Sequence, residues 1–371
     1  MLNGDRLLET FLEYVQIDSE TLNEKNMSQR VASDLRTLGL EVWTDDAGAS
    51  FGSNGVNVYA RMAGDSPSSP MLFSAHVDTV KPGNGIVPIV RDGIISSEGD
   101  TILAADDKSA VAAVVEALRT VRENNLAHRT VEVIFSIAEE GGLHGIKNAD
   151  LSALTAKKSV VLDAGGDVGH IITSAPGQMS FEAHITGKAA HAGACPEEGI
   201  SAIQAAAAGI ASMKLLRVDH ETTANIAVFK SEYPTNIVPD DAHIMGEARS
   251  HDPQKLSLQT EHMKKCLEDA CDKYGAKLTC KIDTVYRSYR FDDDDPIVTE
   301  VRDACERIGI EPKIASTGGG SDANVMNYRG IKSIVLSTGM DAIHTKSERI
   351  TVKNLTDTAR LCIALMTGGR A

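Results

Sequence analysis

Four segments of the sequence place a histidine or an acidic residue soon after an apolar run that is typical of a β-strand. They are His76 after Met71–Phe73, Glu140 after Val131–Ile137, Asp163 after Val160–Leu162, and His344 a few residues after Val335–Leu336. In open α/β sheets the ligand crevice lies beyond the carboxyl ends of the strands, so we expect four strands to deliver these side chains to one place. Imidazole nitrogens and carboxylate oxygens are donors that suit zinc.

A fifth segment, Ala104–Lys108, opens a predicted helix and contains two aspartates. Asp106 or Asp107 could simply cap that helix, which is the common role of Asp before a helix. Beside the other four segments, Asp106 is better interpreted as a metal ligand, because one Asp shared by two ions lets five side chains complete two sites. Such pairs of ions form the hydrolytic centre of aminopeptidases. The predicted ligands are His76, Asp106, Glu140, Asp163 and His344, and the predicted cofactor is two Zn²⁺ per subunit, with Co²⁺ or Mn²⁺ as alternatives.

Two further carboxylates flank the predicted ligands. Glu139 directly precedes Glu140 and is the candidate general base, since it could reach a metal-activated water without itself binding metal. Asp78 lies two residues after His76, on the same side of an extended chain, and is predicted to accept a hydrogen bond from the imidazole. Taken singly, a histidine after a strand is usually structural and a Glu-Glu pair is usually a solvated turn. Their joint occurrence at strand ends is what indicates a metal centre.

No other catalytic chemistry has comparable support in the sequence. It contains no GxSxG elbow, and no cysteine lies in a recognisable activated setting. The glycine run Gly318–Gly320 lacks the lysine of a phosphate-binding loop. We interpret that run as a close backbone approach near the active site.

Composition excludes several classes of protein. The 371 residues carry 37 Lys and Arg against 52 Asp and Glu, a net charge of −15, which argues against nucleic acid or an anionic membrane as a partner. No signal peptide and no membrane-spanning run is apparent. Six cysteines without a CxxC pair suit reduced thiols, which predicts a cytoplasmic protein.

The order of predicted elements indicates two domains. Strands and helices alternate up to about residue 174 and again after residue 290, which is typical of an α/β domain with a mixed, mostly parallel sheet. Between them, a Ser-Ala-Pro-Gly cluster at Ser174–Gly177 opens a stretch of alternating strands and two long helices, typical of a small α+β unit. We therefore expect a discontinuous catalytic domain, residues 1–174 and 290–371, with an inserted lid domain at 175–289.

Five motifs together resemble the cocatalytic dizinc exopeptidase family that contains tripeptidase T, glutamate carboxypeptidase and aminoacylase. The motifs are His76-Val77-Asp78-Thr79, Thr101–Lys108, Glu139-Glu140-Gly141, Asp163-Ala164-Gly165-Gly166 and the late His344. The similarity runs from Leu7 to near the C-terminus, and the opening segment together with Ala105–Lys108 is most similar to the tripeptidase T branch.

The resemblance implies a role for each matching position. Asp106 would bridge the two ions, His76 with Asp163 would complete one site, and Glu140 with His344 the other. Asp78 would orient His76, and Glu139 would be the acid/base. Three lid residues would contact substrate: His191, which would reach the site of a neighbouring subunit and polarise the scissile carbonyl, and Asn236 and Arg249, which would hold the substrate carboxylate or backbone.

The expected protein is thus a cytoplasmic dizinc aminopeptidase that hydrolyses short peptides and forms a homodimer through its lid. One alternative is an amidohydrolase, deacylase or carboxypeptidase of the same family that acts on N-acyl amino acids. An alternative from another class is a noncatalytic peptide-binding protein that keeps the fold.

Overall fold

The computed structural model describes residues 1–368, which divide into two compact units. The large unit comprises Met1–Ser174, Arg290–Ser316 and residues 321–368, and the small unit comprises Ala175–Tyr289 and Thr317–Gly320. Residues 369–371, which the sequence analysis assigns to the catalytic domain, lie outside the described range.

The helices and strands follow one another in a fixed order along the chain. Up to the end of the first large-unit segment they are α1 (Gly4–Val15), α2 (Lys25–Thr37), β1 (Glu41–Thr44), β2 (Val58–Met62), β3 (Met71–His76), β4 (Val87–Arg91), β5 (Ile94–Glu98), α3 (Ala105–Glu123), β6 (Val131–Ser136), α4 (His144–Lys147), β7 (Lys158–Gly165) and β8 (His170–Ala175). The next are β9 (Gly177–Thr186), α5 (Ala202–Ser212), β10 (Leu216–Arg217), β11 (Thr222–Lys230), β12 (Asp241–Ser250), α6 (Pro253–Tyr274), β13 (Lys277–Tyr286) and β14 (Tyr289–Arg290). The last are α7 (Pro296–Arg307), β15 (Lys313–Ser316), α8 (Asp322–Tyr328), β16 (Lys332–Met340), β17 (Arg349–Thr351) and α9 (Val352–Thr367).

The large unit is built on a mixed sheet whose strand order is β1-β2-β6-β3-β7-β16-β8-β14, with β15 beside β8. Its four central neighbours, β6, β3, β7 and β16, run parallel to one another. Strands buried on both faces read as continuous apolar runs, and β3 and β6 are buried along their whole length. The four strands therefore end at the same edge of the sheet.

Helix α3 packs against this sheet and against α1 and α9. It is buried on nearly every side, and four of its core positions, Ala110, Ala112, Ala113 and Ala117, are alanines, which let neighbouring elements approach closely. In the middle of the helix, the buried Glu116 accepts two hydrogen bonds from the Arg6 guanidinium, at 2.7 and 2.9 Å. Helix α3 is consequently anchored in the core.

The small unit is an antiparallel five-stranded sheet in the order β10-β11-β12-β9-β13. Alternate residues of β9 and β12, such as Ala183, Ile185, Ala242 and Ile244, lie in a core shared with residues of α5 and α6. The intervening residues lie on the opposite face of the sheet, which is at least partly exposed.

The structure confirms the predicted fold class, an α/β domain with a mixed sheet plus a smaller α+β unit. The Asp295 side chain caps α7 by accepting a hydrogen bond from the N–H of Ile297. The antiparallel hairpin of β4 and β5 was not predicted. All six cysteines are free thiols, and no helix among residues 1–368 is long and apolar enough to cross a membrane.

Candidate metal centre

The parallel strands of the large unit bring the predicted metal ligands together at one edge of the sheet. His76 is the last residue of β3, Asp163 lies near the end of β7, Glu140 follows β6 and His344 follows β16. These four strands are consecutive neighbours in the sheet. Asp106 reaches the same place from the first turn of α3, where Asp106 and Asp107 have non-helical backbone angles. The carboxylate of Asp106 faces the two histidines, and Oδ2 of Asp107 accepts a hydrogen bond from the N–H of His76 at 3.2 Å. These contacts favour the metal-ligand interpretation of Asp106 over a helix cap.

Asp106 lies between the two histidines and faces each with a different oxygen. Its Oδ1 is 3.1 Å from Nε2 of His76, and its Oδ2 is 3.1 Å from Nε2 of His344. On the His344 side, Glu140 Oε1 lies 2.6 Å from the same Nε2. On the His76 side, Asp163 Oδ1 lies 3.8 Å from Nε2. The five side chains thus form two groups of nitrogen and oxygen donors that share one carboxylate.

Glu139 lies beside the group that contains His76 and Asp163. One of its carboxylate oxygens, a ring nitrogen of His76 and an oxygen of Asp163 all lie within 4.8 Å of one another. The Glu139 side chain is buried, with 8% of the residue exposed. It can therefore exchange a proton with a molecule held between the ligands while it is largely shielded from bulk water.

The electrostatics of the centre are those of a negatively charged, buried space. Burial and neighbouring carboxylates raise the pKa of Glu139 and of Asp163 well above the ordinary range. Burial would lower the pKa of His76, but its hydrogen bond with Asp106 helps to raise it above its ordinary value. The His344 ring donates hydrogen bonds to the carboxylates of Asp106 and Glu140, and these bonds raise the pKa of His344 to about 10. Burial opposes ionisation of Asp106, yet hydrogen bonds from His344 and His76 hold its pKa below the usual range.

The donor set fits divalent metal ions. Around the two imidazoles lie the carboxyl groups of Asp78, Asp106, Asp107, Glu139, Glu140, Asp163 and Asp322. Within the described residues, Oδ1 of Asp107 and Oδ1 of Asp322 are buried and have no hydrogen-bond partner. Buried carboxylates in such excess are tolerated where cations neutralise them, and imidazole with carboxylate is a ligand combination that zinc prefers.

Four successive backbone N–H groups hold the loop that carries Glu139 and Glu140, and each donates to a buried side chain. The N–H of residue 137 donates to Asn57 Oδ1 at 3.1 Å, and that of residue 138 donates to Glu24 Oε1 at 3.1 Å. The N–H groups of Glu139 and Glu140 donate to the two oxygens of Asp78, at 2.9 and 3.2 Å. These buried side chains thereby fix the backbone position of Glu139, the candidate base, and of Glu140, the neighbouring predicted ligand.

Asp78 consequently has a wider structural role than orienting one ring. The nearest partner of His76 Nδ1 is the backbone carbonyl oxygen of Asp78, at 3.0 Å, whereas a carboxylate oxygen of Asp78 lies 3.5 Å away. The carboxylate also accepts a hydrogen bond from Oγ1 of Thr21 at 2.8 Å. The same residue thus connects the β3 ligand with the loop after β6.

Glu348 holds the other ligand loop and was missed by the sequence analysis. Its Oε2 accepts hydrogen bonds from the N–H groups of Leu103 and Ala104, both at 2.8 Å, and its Oε1 accepts one from Asp106 at 2.9 Å. Ala104 has a φ of 61°, in the left-handed region that non-glycine residues seldom occupy. Glu348 is 1% exposed, and burial raises its pKa to about 7. The bonds hold the strained turn that aims Asp106 between the two histidines.

The local sequence offers no signal for Glu348, because it is 242 residues from Asp106 in the chain. Asp322, at the start of α8, was likewise missed, although its carboxylate accepts a hydrogen bond from Ser136 at the end of β6. Only its place two residues after the glycine run could have drawn attention to it. Within that run, packing inside the small unit accounts for Gly320, where a Cβ would lie 2.2 Å from the ring of Tyr286, whereas a Cβ at Gly318 would meet nothing within 4 Å.

The three predicted substrate-binding residues lie in the small unit. His191 is exposed, and its Nδ1 accepts hydrogen bonds from the N–H groups of Gly193 and Ala194, both at 3.1 Å. Asn236 lies in a neighbouring segment, since its carbonyl accepts the N–H of residue 192 at 2.9 Å. Arg249, near the end of β12, is held by Glu247 through Nε and Nη2 at 2.8 and 3.2 Å.

Comparison with known proteins identifies a matching family and several similar proteins. The sequence pattern of peptidase family M20/M25/M40 matches residues 72–367. An aminopeptidase PepT from Bacillus cereus is 41% identical with a TM-score of 0.92, and a tripeptidase from Staphylococcus aureus is 37% identical with a TM-score of 0.95, in both cases over 100% of each chain. The protein YqjE of Bacillus subtilis is 41% identical over 366 residues, 99% of each chain.

The contacts of Glu348 predict the effect of replacing it. In Glu348→Gln, the amide group has one acceptor oxygen, so at least one buried N–H of the Asp106 turn loses its partner, at a cost of about 1–3 kcal/mol. We expect the turn to loosen and the affinity for divalent metal to fall by about 10- to 100-fold, as is usual when a group that orients a ligand is changed. Equilibrium dialysis of zinc against a competing chelator measures this affinity.

Glu132→Gln is the matched control, because Glu132 is also fully buried and accepts backbone N–H groups, those of Thr155 and Ala156, near the start of β6. This variant should lower the free energy of unfolding without changing metal affinity. Equal metal affinities of the two variants would contradict the role assigned to Glu348.

Proposed function

The chain belongs to peptidase family M20/M25/M40 and is a metal-dependent exopeptidase, and from this premise we propose that it releases the amino-terminal residue of short peptides. The observation that carries the proposal is the placement of Asp106, which faces His76 with one oxygen and His344 with the other. That arrangement favours two metal ions that share a carboxylate. Zinc is the ion we propose, since the donors are imidazole and carboxylate groups.

The five ligands divide into two sets in this proposal. His76 and Asp163 would hold one ion, Glu140 and His344 would hold the other, and Asp106 would contact both. When bound, the two ions would polarise the scissile carbonyl and lower the pKa of the attacking water to about 7.

Glu139 is the proposed general base and acid. Its carboxylate lies within 4.8 Å of donor atoms of His76 and Asp163, so it can take a proton from the attacking water. The same carboxyl group can then deliver that proton to the leaving amine nitrogen. Its backbone N–H is fixed by Asp78, which limits its movement between the two steps.

Replacing Glu139 should impair proton transfer without impairing metal binding, so the two roles can be measured separately. Glu139→Gln keeps the size of the side chain and removes the base, so we expect both metal ions to be retained while kcat falls by about 10²- to 10⁴-fold. Metal analysis of the dialysed protein and steady-state kinetics on one short peptide measure the two effects. Glu9→Gln, at an exposed position of α1, is the control. Near-normal turnover by Glu139→Gln would show that another group is the base.

The proposed substrates are short peptides with a free amino-terminus. The B. cereus relative is an aminopeptidase and the S. aureus relative a tripeptidase, and both are similar to this chain over its full length. The closest rival activity is that of a deacylase or carboxypeptidase acting on N-acyl amino acids. It needs the same metal centre and differs only in which end of the substrate is recognised.

A panel of peptides distinguishes these activities. Free and N-acetylated di-, tri- and tetrapeptides are incubated with metal-depleted and zinc-restored protein, and amino-acid release is measured. We expect the restored protein to hydrolyse the free peptides and leave the acetylated ones intact, because a blocked amine cannot make the interactions of a charged terminus. Cleavage of the acylated compounds alone would support the rival. Hydrolysis of none of them by the zinc-restored protein would contradict the proposed substrate class.

We propose further that the protein is a cytoplasmic homodimer, in which His191 of each subunit assists the other's active site. The hydrogen bonds that Nδ1 of His191 accepts leave Nε2 as the protonated nitrogen of the neutral ring. That N–H is a donor suited to a developing oxyanion. The support for action across subunits is the family resemblance of the segment Gly187–Gly193.

Mixed dimers test this arrangement. Glu139→Gln and His191→Ala should each have low activity alone. In a mixed dimer, however, the His191→Ala subunit keeps its Glu139 and receives an intact His191 from its partner. With random pairing, we expect about a quarter of wild-type activity to return after co-expression. Activity no higher than the mean of the two separate variants would mean that His191 does not act across subunits.

A further inference from the structure

The open face of the small-unit sheet carries a second group of potential metal ligands. His184 of β9 and His243 of β12 are direct cross-strand partners. Glu182 precedes His184 by two residues and therefore lies on the same face. All three alternate with core residues of the same strands, so they are directed away from the core.

The donor atoms of this group converge. Oε1 of Glu182 lies 3.0 Å from Nε2 of His243 and 3.7 Å from Nε2 of His184. The two imidazole rings are stacked, with centroids 4.3 Å apart and an angle of 13° between their planes. Two ligand atoms that are each about 2.0–2.2 Å from a tetrahedral zinc ion lie roughly 3.3–3.5 Å from one another. The observed separations bracket that value, so small side-chain rotations would complete a site.

Folding stability does not account for the arrangement. The side chains of Glu182, His184 and His243 are 43%, 49% and 25% exposed. Exposed ion pairs contribute about 0–1 kcal/mol. The core of the small unit lies on the other side of the sheet, so these three residues bury little apolar surface. Two contacting imidazoles beside a carboxylate are instead a combination that binds transition-metal ions well.

We propose that Glu182, His184 and His243 form a binding site for one divalent transition-metal ion, with zinc as the matching ion, on the small unit. Two nitrogens and one oxygen would bind the ion, and water would complete its coordination. Magnesium and calcium, which prefer oxygen ligands only, are poorly suited. This site is independent of the proposed function, because none of its residues belongs to the centre around Asp106.

Positively charged neighbours limit the affinity of the site for a cation, so that binding depends on the carboxylate of Glu182. Lys230 is the cross-strand partner of His243, and Lys281 is the partner of Glu182. Lys281 is paired with Asp283, which offsets its charge. The remaining positive charge lies on the Lys230 side, so the carboxylate of Glu182 is needed to hold a dication. We therefore expect Glu182→Gln to weaken binding by about 10-fold or more.

The test counts zinc ions bound to the full-length holoenzyme. Protein already loaded at its catalytic centre is dialysed against increasing Zn²⁺, and bound zinc per subunit is measured by elemental analysis. We expect wild-type protein to bind one more ion per subunit than the variant with His184→Gln and His243→Gln. Peptidase activity of the two proteins should be equal, since neither histidine belongs to the catalytic centre.

His220→Gln is the matched control. His220 is exposed and lies 3.5 Å from Glu221, but it belongs to none of the three-donor groups found among residues 1–368. This control should keep the additional ion. Equal zinc content of wild type and double variant, or loss of the ion in the control, would overturn the proposal. If the double variant does not fold, as judged by circular dichroism, Glu182→Gln and the single histidine variants provide the same comparison.

Discussion

Buried side-chain oxygens that hold backbone N–H groups are the constraint on which the catalytic centre depends. Asn57, Glu24 and Asp78 fix four consecutive N–H groups of the loop after β6, and Glu348 fixes three N–H groups before and at the start of α3. Loops normally satisfy their backbone with water. Here the water is replaced by side chains that are themselves enclosed, so the ligand loops gain the precision of regular secondary structure. A displacement of any of these side chains would therefore move a predicted metal ligand or the candidate base.

This precision has an electrostatic cost. Glu24 and Glu348 add two buried carboxyl groups to a region already crowded with acidic ligands, and burial raises the pKa of both. The cost is borne by an apolar framework of β3, β6, β7 and α3, which is buried throughout most of its length. Unfavourable local choices of this kind are characteristic of functional sites, where the surrounding core compensates for them. Metal ions would relieve part of the repulsion, which couples metal binding to the stability of the loops.

The sequence predicts the ligands better than it predicts what holds them. His76, Glu140 and Asp163 lie at or soon after the ends of apolar strand runs, so a periodic pattern and one rule about parallel sheets suffice to bring them together. Glu348 and Asn57 act on segments that are distant in sequence, and no local pattern reveals such contacts. The β4–β5 hairpin was missed because its strands are short and its exposed positions include Val87, Val90 and Ile94 instead of polar residues. Taken alone, Asp106 would be interpreted as a helix cap, and only its combination with the other four segments predicts a metal ligand.

The two units use hydrogen bonds in opposite directions to prepare side chains for chemistry. In the large unit, side chains accept hydrogen bonds from the backbone and thereby position loops, as Asp78 does for Glu139 and Glu140. In the small unit, the backbone N–H groups of Gly193 and Ala194 donate to a side chain, and thereby select the tautomer of His191. The first device fixes where an atom lies, and the second fixes where a proton lies. The proposed mechanism needs both, because the predicted metal ligands must not move while the groups proposed to act around the scissile bond must present the correct proton.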